Sequence, residues 1–134
     1  MLLMYTKTRY TEKFIIDIIF LQSKKEFKFM IINRPPMGWN SWNTFAENIN
    51  EKVVMETADF IVESGLKDCG YEYVIIDDCW SLRERNEKNE IVPDPEKFPH
   101  GMKYVSDYIH SKGLKFGMYS CAGNLTCAGY PGSF

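Results

Sequence analysis

Tyr71-Glu-Tyr-Val-Ile-Ile-Asp-Asp-Cys-Trp80 is the stretch on which the fold turns. Tyr71 to Ile76 has the β-branched and aromatic content of a buried strand, and it runs without a breaker into Asp77 and Asp78. The acidic pair therefore stands at the C-terminal end of a strand. Upstream, Asn50 is placed to cap a helix, Glu51 suits the positive end of its dipole, and Val54, Ala58 and Ile61 recur at helical spacing until Gly65. Before that helix, Met37-Gly38-Trp39-Asn40 reads as a short strand, because Pro35 and Pro36 cannot donate to a ladder and belong ahead of it. Its useful end is Asn40-Ser41-Trp42.

Downstream of Trp80 the chain is polar and broken by Pro93, Pro95, Pro99 and Gly101, which reads as one long loop. Met102, Val105 and Ile109 then form a helical stripe closed by Gly113, and Leu114 to Tyr119 reads as a third strand. Ser120 to Phe134 is again loop. Short apolar runs alternating with helical periods indicate an α/β architecture with parallel strands. Strand starts near 37, 71 and 114 are thirty-four and forty-three residues apart, close to the roughly 31 per unit of a (β/α)8 barrel. About three of eight units are expected. An open doubly wound sheet would carry a glycine-rich phosphate turn after its first strand, and Asn40-Ser-Trp-Asn43 contains no glycine.

The 134 residues suffice for one domain, and 45% hydrophobic with 25% charged residues is the composition of a chain that folds. A net charge of −2 gives no footprint for a polyanion, so nucleic acid is not an expected partner. Met1 to Ile31 differs from the rest: six Lys or Arg stand against three Asp or Glu, with no Gly or Pro. It reads as a leader outside the fold, with residues 32–134 as the folded part. Met30, four residues before Arg34, is the expected natural start; a strand or helix covering the bottom of a barrel is the opposing reading. Asp17 interrupts the only apolar stretch that could serve as a secretory signal, and no run is long enough to span a membrane. A cytoplasmic protein without membrane association is the expectation.

Cys69, Cys79, Cys121 and Cys127 form no C-x-x-C pair, and His100 and His110 are the only histidines. A structural zinc site is disfavoured, and reduced thiols at partly buried positions are expected. A divalent cation held by carboxylates and His100 is a further reading, weakened because that histidine has no ligand-spaced partner. No cofactor is implied. Alternation along a strand sends Asp77 and Asp78 to opposite sides, so each needs its own partner. They can be ionised acceptors for substrate hydroxyls or simply strand-end turn formers. Trp39, Trp42, Trp80 and Tyr119 fall at or beyond strand ends, where an aromatic face can pack on a sugar; core packing explains any one of them alone. Their shared rim with the acidic pair favours a polyol or carbohydrate pocket.

Arg34-Pro-Pro-Met-Gly-Trp-Asn-Ser-Trp-Asn-Thr-Phe45, Ile76-Asp-Asp-Cys-Trp80, Phe98-Pro-His-Gly101, His110-Ser-Lys-Gly-Leu-Lys115 and Cys127-Ala-Gly-Tyr-Pro-Gly-Ser133, in this order, closely resemble the start of the α-galactosidases of glycoside hydrolase family 27. The resemblance covers roughly Asn33 to Phe134. It implies the N-terminal portion of a (β/α)8 barrel that cleaves terminal α-galactosyl residues with retention, using two aspartates and no metal. By motif position Trp42 resembles the sugar-stacking tryptophan, Asp77 and Asp78 the pair that binds galactose hydroxyls, and Tyr119 a tyrosine lining the pocket. Cys127 is counted with them as a candidate substrate-binding residue. The resemblance also places both catalytic carboxylates after later strands, so no catalytic residue is expected within this chain, and a fragment inactive alone is the expectation. In secreted members the cysteine matching Cys79 pairs with one at the place held here by Glu47, and Cys127 matches half of a second bridge. Both are expected unpaired here, as in bacterial, intracellular members. A non-catalytic carbohydrate-binding α/β module is the alternative.

Overall fold

The structure is a computed structural model, and it describes residues 35–134. The leader assigned to 1–31, and the start at Met30, lie outside the described residues.

The elements follow in the order β1 (Gly38–Asn40), α1 (Trp42–Phe45), a 3-10 turn (Ala46–Asn48), α2 (Glu51–Glu63), β2 (Tyr73–Ile76), α3 (Gly101–Ser111) and β3 (Lys115–Met118). The sheet has the order β1-β2-β3 and both pairings are parallel, with Gly38 opposite Tyr73 and Tyr73 opposite Lys115. Parallel neighbours need a crossover, which α2 and α3 supply. This is the β/α progression expected from the sequence, with β2 two residues shorter at its start than the apolar run.

α2 begins where Asn50 Oδ1 accepts the Val53 N–H at 3.0 Å, which satisfies one of the orphan donors of its first turn. It stops at Glu63 with Ser64 as its cap, and Gly65 just beyond turns the chain at a left-handed φ of +78°, which suits glycine. The face carrying Val54, Ala58 and Ile61 packs with Val105 and Ile109 of α3 against Val74 and Ile76 of β2. Strict alternation along β2 buries Val74 and Ile76 in this layer and turns Tyr73 and Ile75 to the other side of the sheet. Ile49 and Phe98, both from connecting segments, complete the core. β1 sits close to β2 because Gly38 has no side chain: a Cβ there would lie 2.1 Å from the Tyr73 carbonyl oxygen.

Outside the core, α2 and α3 are joined by a polar cluster. The Tyr108 hydroxyl donates to both Asp59 carboxylate oxygens, at 2.8 and 2.7 Å, and Lys112 Nζ lies 2.6 Å from Asp59 Oδ1. No helix among the described residues is long and apolar enough to cross a membrane.

Candidate functional site

The site is built where the strands end. β1 passes directly into Ser41, whose N–H donates to the Ile75 carbonyl at 3.2 Å. Ser41 is fully buried, and its Oγ accepts the Asp77 N–H at 2.9 Å. Asn40, one residue earlier, donates from Nδ2 to Asp77 Oδ2 at 2.8 Å and accepts the Trp42 N–H on Oδ1 at 2.9 Å. One side-chain amide thus holds both the first carboxylate and the backbone of Trp42, whose ring side chain belongs to a residue 41% exposed.

Asp77 and Asp78 have separate partners, as their alternation requires. Half-buried Asp77 is held from the β1 side and accepts the Asp78 N–H on Oδ1 at 2.8 Å. Buried Asp78 accepts the Cys79 N–H on Oδ1 at 2.8 Å and the Ala128 N–H on Oδ2 at 3.3 Å, so it is held from the loop after β3. Tyr119 joins that side: its N–H donates to the Ile76 carbonyl at 2.8 Å. Burial, then the Cys127 thiol and the Asp78 carboxylate, push the Tyr119 phenol above its ordinary pKa. The five residues marked in the sequence, Trp42, Asp77, Asp78, Tyr119 and Cys127, therefore come from the three strand ends and their loops to one edge of the sheet.

Two of the four rim aromatics do other work. Trp39 packs against the core and meets Phe45 edge to face, at 6.0 Å and 65°. Trp80 also packs on the core, and its Nε1–H donates to the Tyr119 carbonyl at 3.0 Å, tying the loop after β2 to the end of β3. The thiols also differ from expectation: Cys79 is buried, Cys121 is half-buried, and Cys69 and Cys127 are exposed, because the latter two lie on turns outside the helix and sheet contacts. His100 points to Glu51, with Nδ1 2.8 Å from Oε1, and joins the starts of α2 and α3. Among the described residues no three His, Cys, Asp or Glu side chains are grouped to hold a metal ion.

Three contributors had no role assigned from the sequence. Asn40 and Ser41 lie inside a quoted motif, but nothing in their identity announced that they fix Asp77. Lys97 is the third: its Nζ donates to the Glu47 carbonyl at 2.9 Å and to the Cys79 carbonyl at 2.8 Å, in the place where the family resemblance expects a disulfide in secreted members.

A parallel β/α progression with polar and aromatic groups gathered at the C-terminal strand ends defines the class as a partial β/α unit of barrel type. Comparison then makes it specific: residues 34–134 match the family described as alpha galactosidase A (melibiase), and the chain belongs to that family. An alpha-galactosidase of Zygotorulaspora mrakii is 63% identical over 99 residues, covering 74% of this chain and 21% of that protein. Alpha-galactosidase A of Cellvibrio japonicus is 50% identical over 116 residues, covering 87% of this chain and 28% of that one. Among solved structures, alpha-galactosidase I from Mortierella vinacea superposes with a TM-score of 0.72 at 52% identity, covering 74% of this chain and 25% of that one. The Saccharomyces cerevisiae enzyme solved with raffinose superposes with a TM-score of 0.72 at 54% identity, covering 74% and 22%. These neighbours are (β/α)8 barrels, and the described residues form a partial α/β piece of that fold. The chain spans between a fifth and three tenths of the length of these relatives.

Proposed function

We propose that residues 35–134 supply the galactose-binding strand ends of a retaining α-galactosidase that acts on terminal α-galactosyl residues of oligosaccharides or glycoconjugates. The observation that carries this reading is the pair Asp77–Asp78, held apart by Asn40 on one side and Ala128 on the other. Each carboxylate keeps acceptor capacity beyond its protein hydrogen bonds, since an ionised carboxylate offers about four lone-pair sites. In this reading Trp42, 41% exposed, offers its ring to the apolar face of the sugar, and the neighbouring Tyr119 and Cys127 contribute from the loop after β3. The raffinose bound in the yeast relative is an α-galactoside-type ligand class consistent with such a pocket.

The roles are binding roles. A retaining double displacement needs two carboxyls about 5–5.5 Å apart on opposite sides of the scissile bond. Asp77 and Asp78 are adjacent along one chain, and Asp78 is buried with both oxygens engaged by backbone N–H groups. In this reading the nucleophile and the acid/base come from outside these residues, the 134-residue chain alone leaves a chromogenic α-galactoside intact, and neither metal nor cofactor takes part. In this reading the protein works in the cytoplasm, and its net charge of −2 supports the reading without a nucleic-acid partner.

The test is a hybrid in which residues 36–134 replace the matching stretch of the Zygotorulaspora mrakii relative. Hydrolysis of the chromogenic substrate, inhibited by galactose, is the expected result. A folded hybrid, shown by a cooperative melt, that neither turns over substrate nor binds galactose overturns the proposal.

A further inference from the structure

Ser120 to Phe134 brings Cys127 and the Ala128 N–H to the site, and it closes on itself through the Leu125–Pro131 bridge and backbone bonds such as Thr126 N–H to the Tyr130 carbonyl at 2.8 Å and Gly132 N–H to the Asn124 carbonyl at 2.8 Å. A pair of arginines, two residues apart in the loop after β2, ties this closed loop to the rest of the chain. Arg85 donates from Nη2 to the Gly132 carbonyl at 2.7 Å and from Nη1 to the Asn89 carbonyl of its own loop at 2.8 Å. Arg83 donates from Nη1 to the Ala128 carbonyl at 3.3 Å, and its guanidinium carbon lies 4.4 Å from the centre of the buried Tyr130 ring. Ala128 is therefore held by both of its backbone groups: the carbonyl by Arg83, and the N–H by Asp78 Oδ2 at 3.3 Å.

We propose that Arg83 and Arg85 are positioning residues for the sugar pocket: without touching sugar, they seat the Ser120–Phe134 loop so that the Ala128 N–H orients the Asp78 carboxylate. The inference rests on the reading of Asp78 as a galactose-hydroxyl acceptor. A planar fork can serve several carbonyls at once from one position, and a lysine ammonium at the same place is a compact point charge on a flexible stem. The stacking of Arg83 on Tyr130 adds a contact that glutamine cannot replace.

The test uses the hybrid carrying residues 36–134 and its Arg83→Gln, Arg85→Lys and Asp78→Asn variants. Amide hydrogen exchange at Ala128 and Gly132 is followed beside amides of α2, and galactose affinity is read by titrating tryptophan fluorescence. Both arginine variants are expected to speed exchange in the loop, leave α2 unchanged and weaken galactose binding about tenfold. Asp78→Asn is expected to speed exchange at Ala128 without loosening Gly132. Unchanged loop exchange in the arginine variants overturns the proposal, as does a loosened loop with an unchanged galactose constant. A folded wild-type hybrid that does not bind galactose overturns the functional reading and, with it, the role toward sugar; the exchange data still decide whether the arginines hold Ala128 on Asp78. If Arg83→Gln unfolds the chain, Arg83→Lys keeps the charge and gives the same comparison.

Discussion

Asn40 Nδ2 meets Asp77 Oδ2 at 2.8 Å across thirty-seven residues of chain, and it does so from the last position of β1 to the first residue after β2. Parallel pairing brings the two residues within reach once the register is set, because Asn40 sits opposite Ile75 and β2 ends one residue later, at Ile76. The same amide accepts the Trp42 N–H, so its orientation is fixed from both ends. One side chain thus holds the Asp77 carboxylate and the Trp42 backbone.

Asp77→Asn in the hybrid enzyme is expected to raise the galactose inhibition constant about tenfold or more, since a hydrogen bond to an ionised acceptor contributes roughly 1.5–3 kcal/mol. Asparagine keeps one oxygen for the Asp78 N–H and turns its amide nitrogen toward Asn40 Nδ2, so a cooperative melt of the variant is measured beside the inhibition constant. An unchanged constant would show that Asp77 serves only the strand end.

Lys97→Met removes the ammonium that joins the Glu47 and Cys79 carbonyls. The expected loss is about 1–3 kcal/mol of stability, the range for withdrawing a charged donor from carbonyls it satisfies. A lower urea midpoint with an unchanged slope checks it. A midpoint equal to wild type would mean that water replaces the ammonium without cost.

The elements that repeat were legible in the sequence, and those that depend on a single distant contact were not. Val54, Ala58 and Ile61, the Asn50 cap and the run into Ile76 each rest on spacing or local chemistry, and each stands where expected. α1 and the turn after it are too short to show a period, and they join through Ala46 at a left-handed φ of +46°, for which alanine gives no signal. Ile49 and Phe98 are core residues in connecting segments, where periodicity says nothing. Asp77 and Asp78 were legible because two carboxylates after an apolar strand are chemically odd. Lys97, Arg83 and Arg85 were not, because their partners are backbone carbonyls, which every residue has.

The cluster Asp59–Tyr108–Lys112 gives the protein a pH signature. The Lys112 and Tyr108 donors hold the Asp59 carboxyl below its ordinary pKa, so its contribution is present above about pH 4 and is lost as acid titrates it. Asp59 raises the pKa of Lys112 and that of Tyr108, so their contributions are present below about pH 10 and are lost as pH rises past it. Asp59→Asn should therefore narrow the stability difference from wild type at both extremes and leave it largest between them. Denaturation midpoints across pH 3 to 11 measure this, and a difference that does not vary with pH would refute it.

Glu47→Cys is expected to form a disulfide with Cys79 under oxidising conditions. Lys97 reaches both backbones with one ammonium, and the Glu47 charge is near enough to act on the Cys79 thiol. Burial, then the Asp78 carboxylate, push the Cys79 thiol above its ordinary pKa, so the buried sulfur is a poor nucleophile at neutral pH. With glutathione disulfide, the exposed new thiol at position 47 reacts first as its thiolate, releasing one glutathione. The Cys79 thiolate then attacks that mixed disulfide and releases the second. Closure should be the slow step and should accelerate as pH rises beyond the range of an ordinary thiol, with the mixed disulfide accumulating at pH 7. The closed form should gain on the order of 3 kcal/mol, as expected for a loop of this length. It should also lose most of its sensitivity to Lys97→Met, because the covalent link then performs the same joining. Mass spectrometry of alkylated peptides through the time course follows each species; a mixed disulfide that never closes at any pH would show that the two backbones meet without their side chains facing one another.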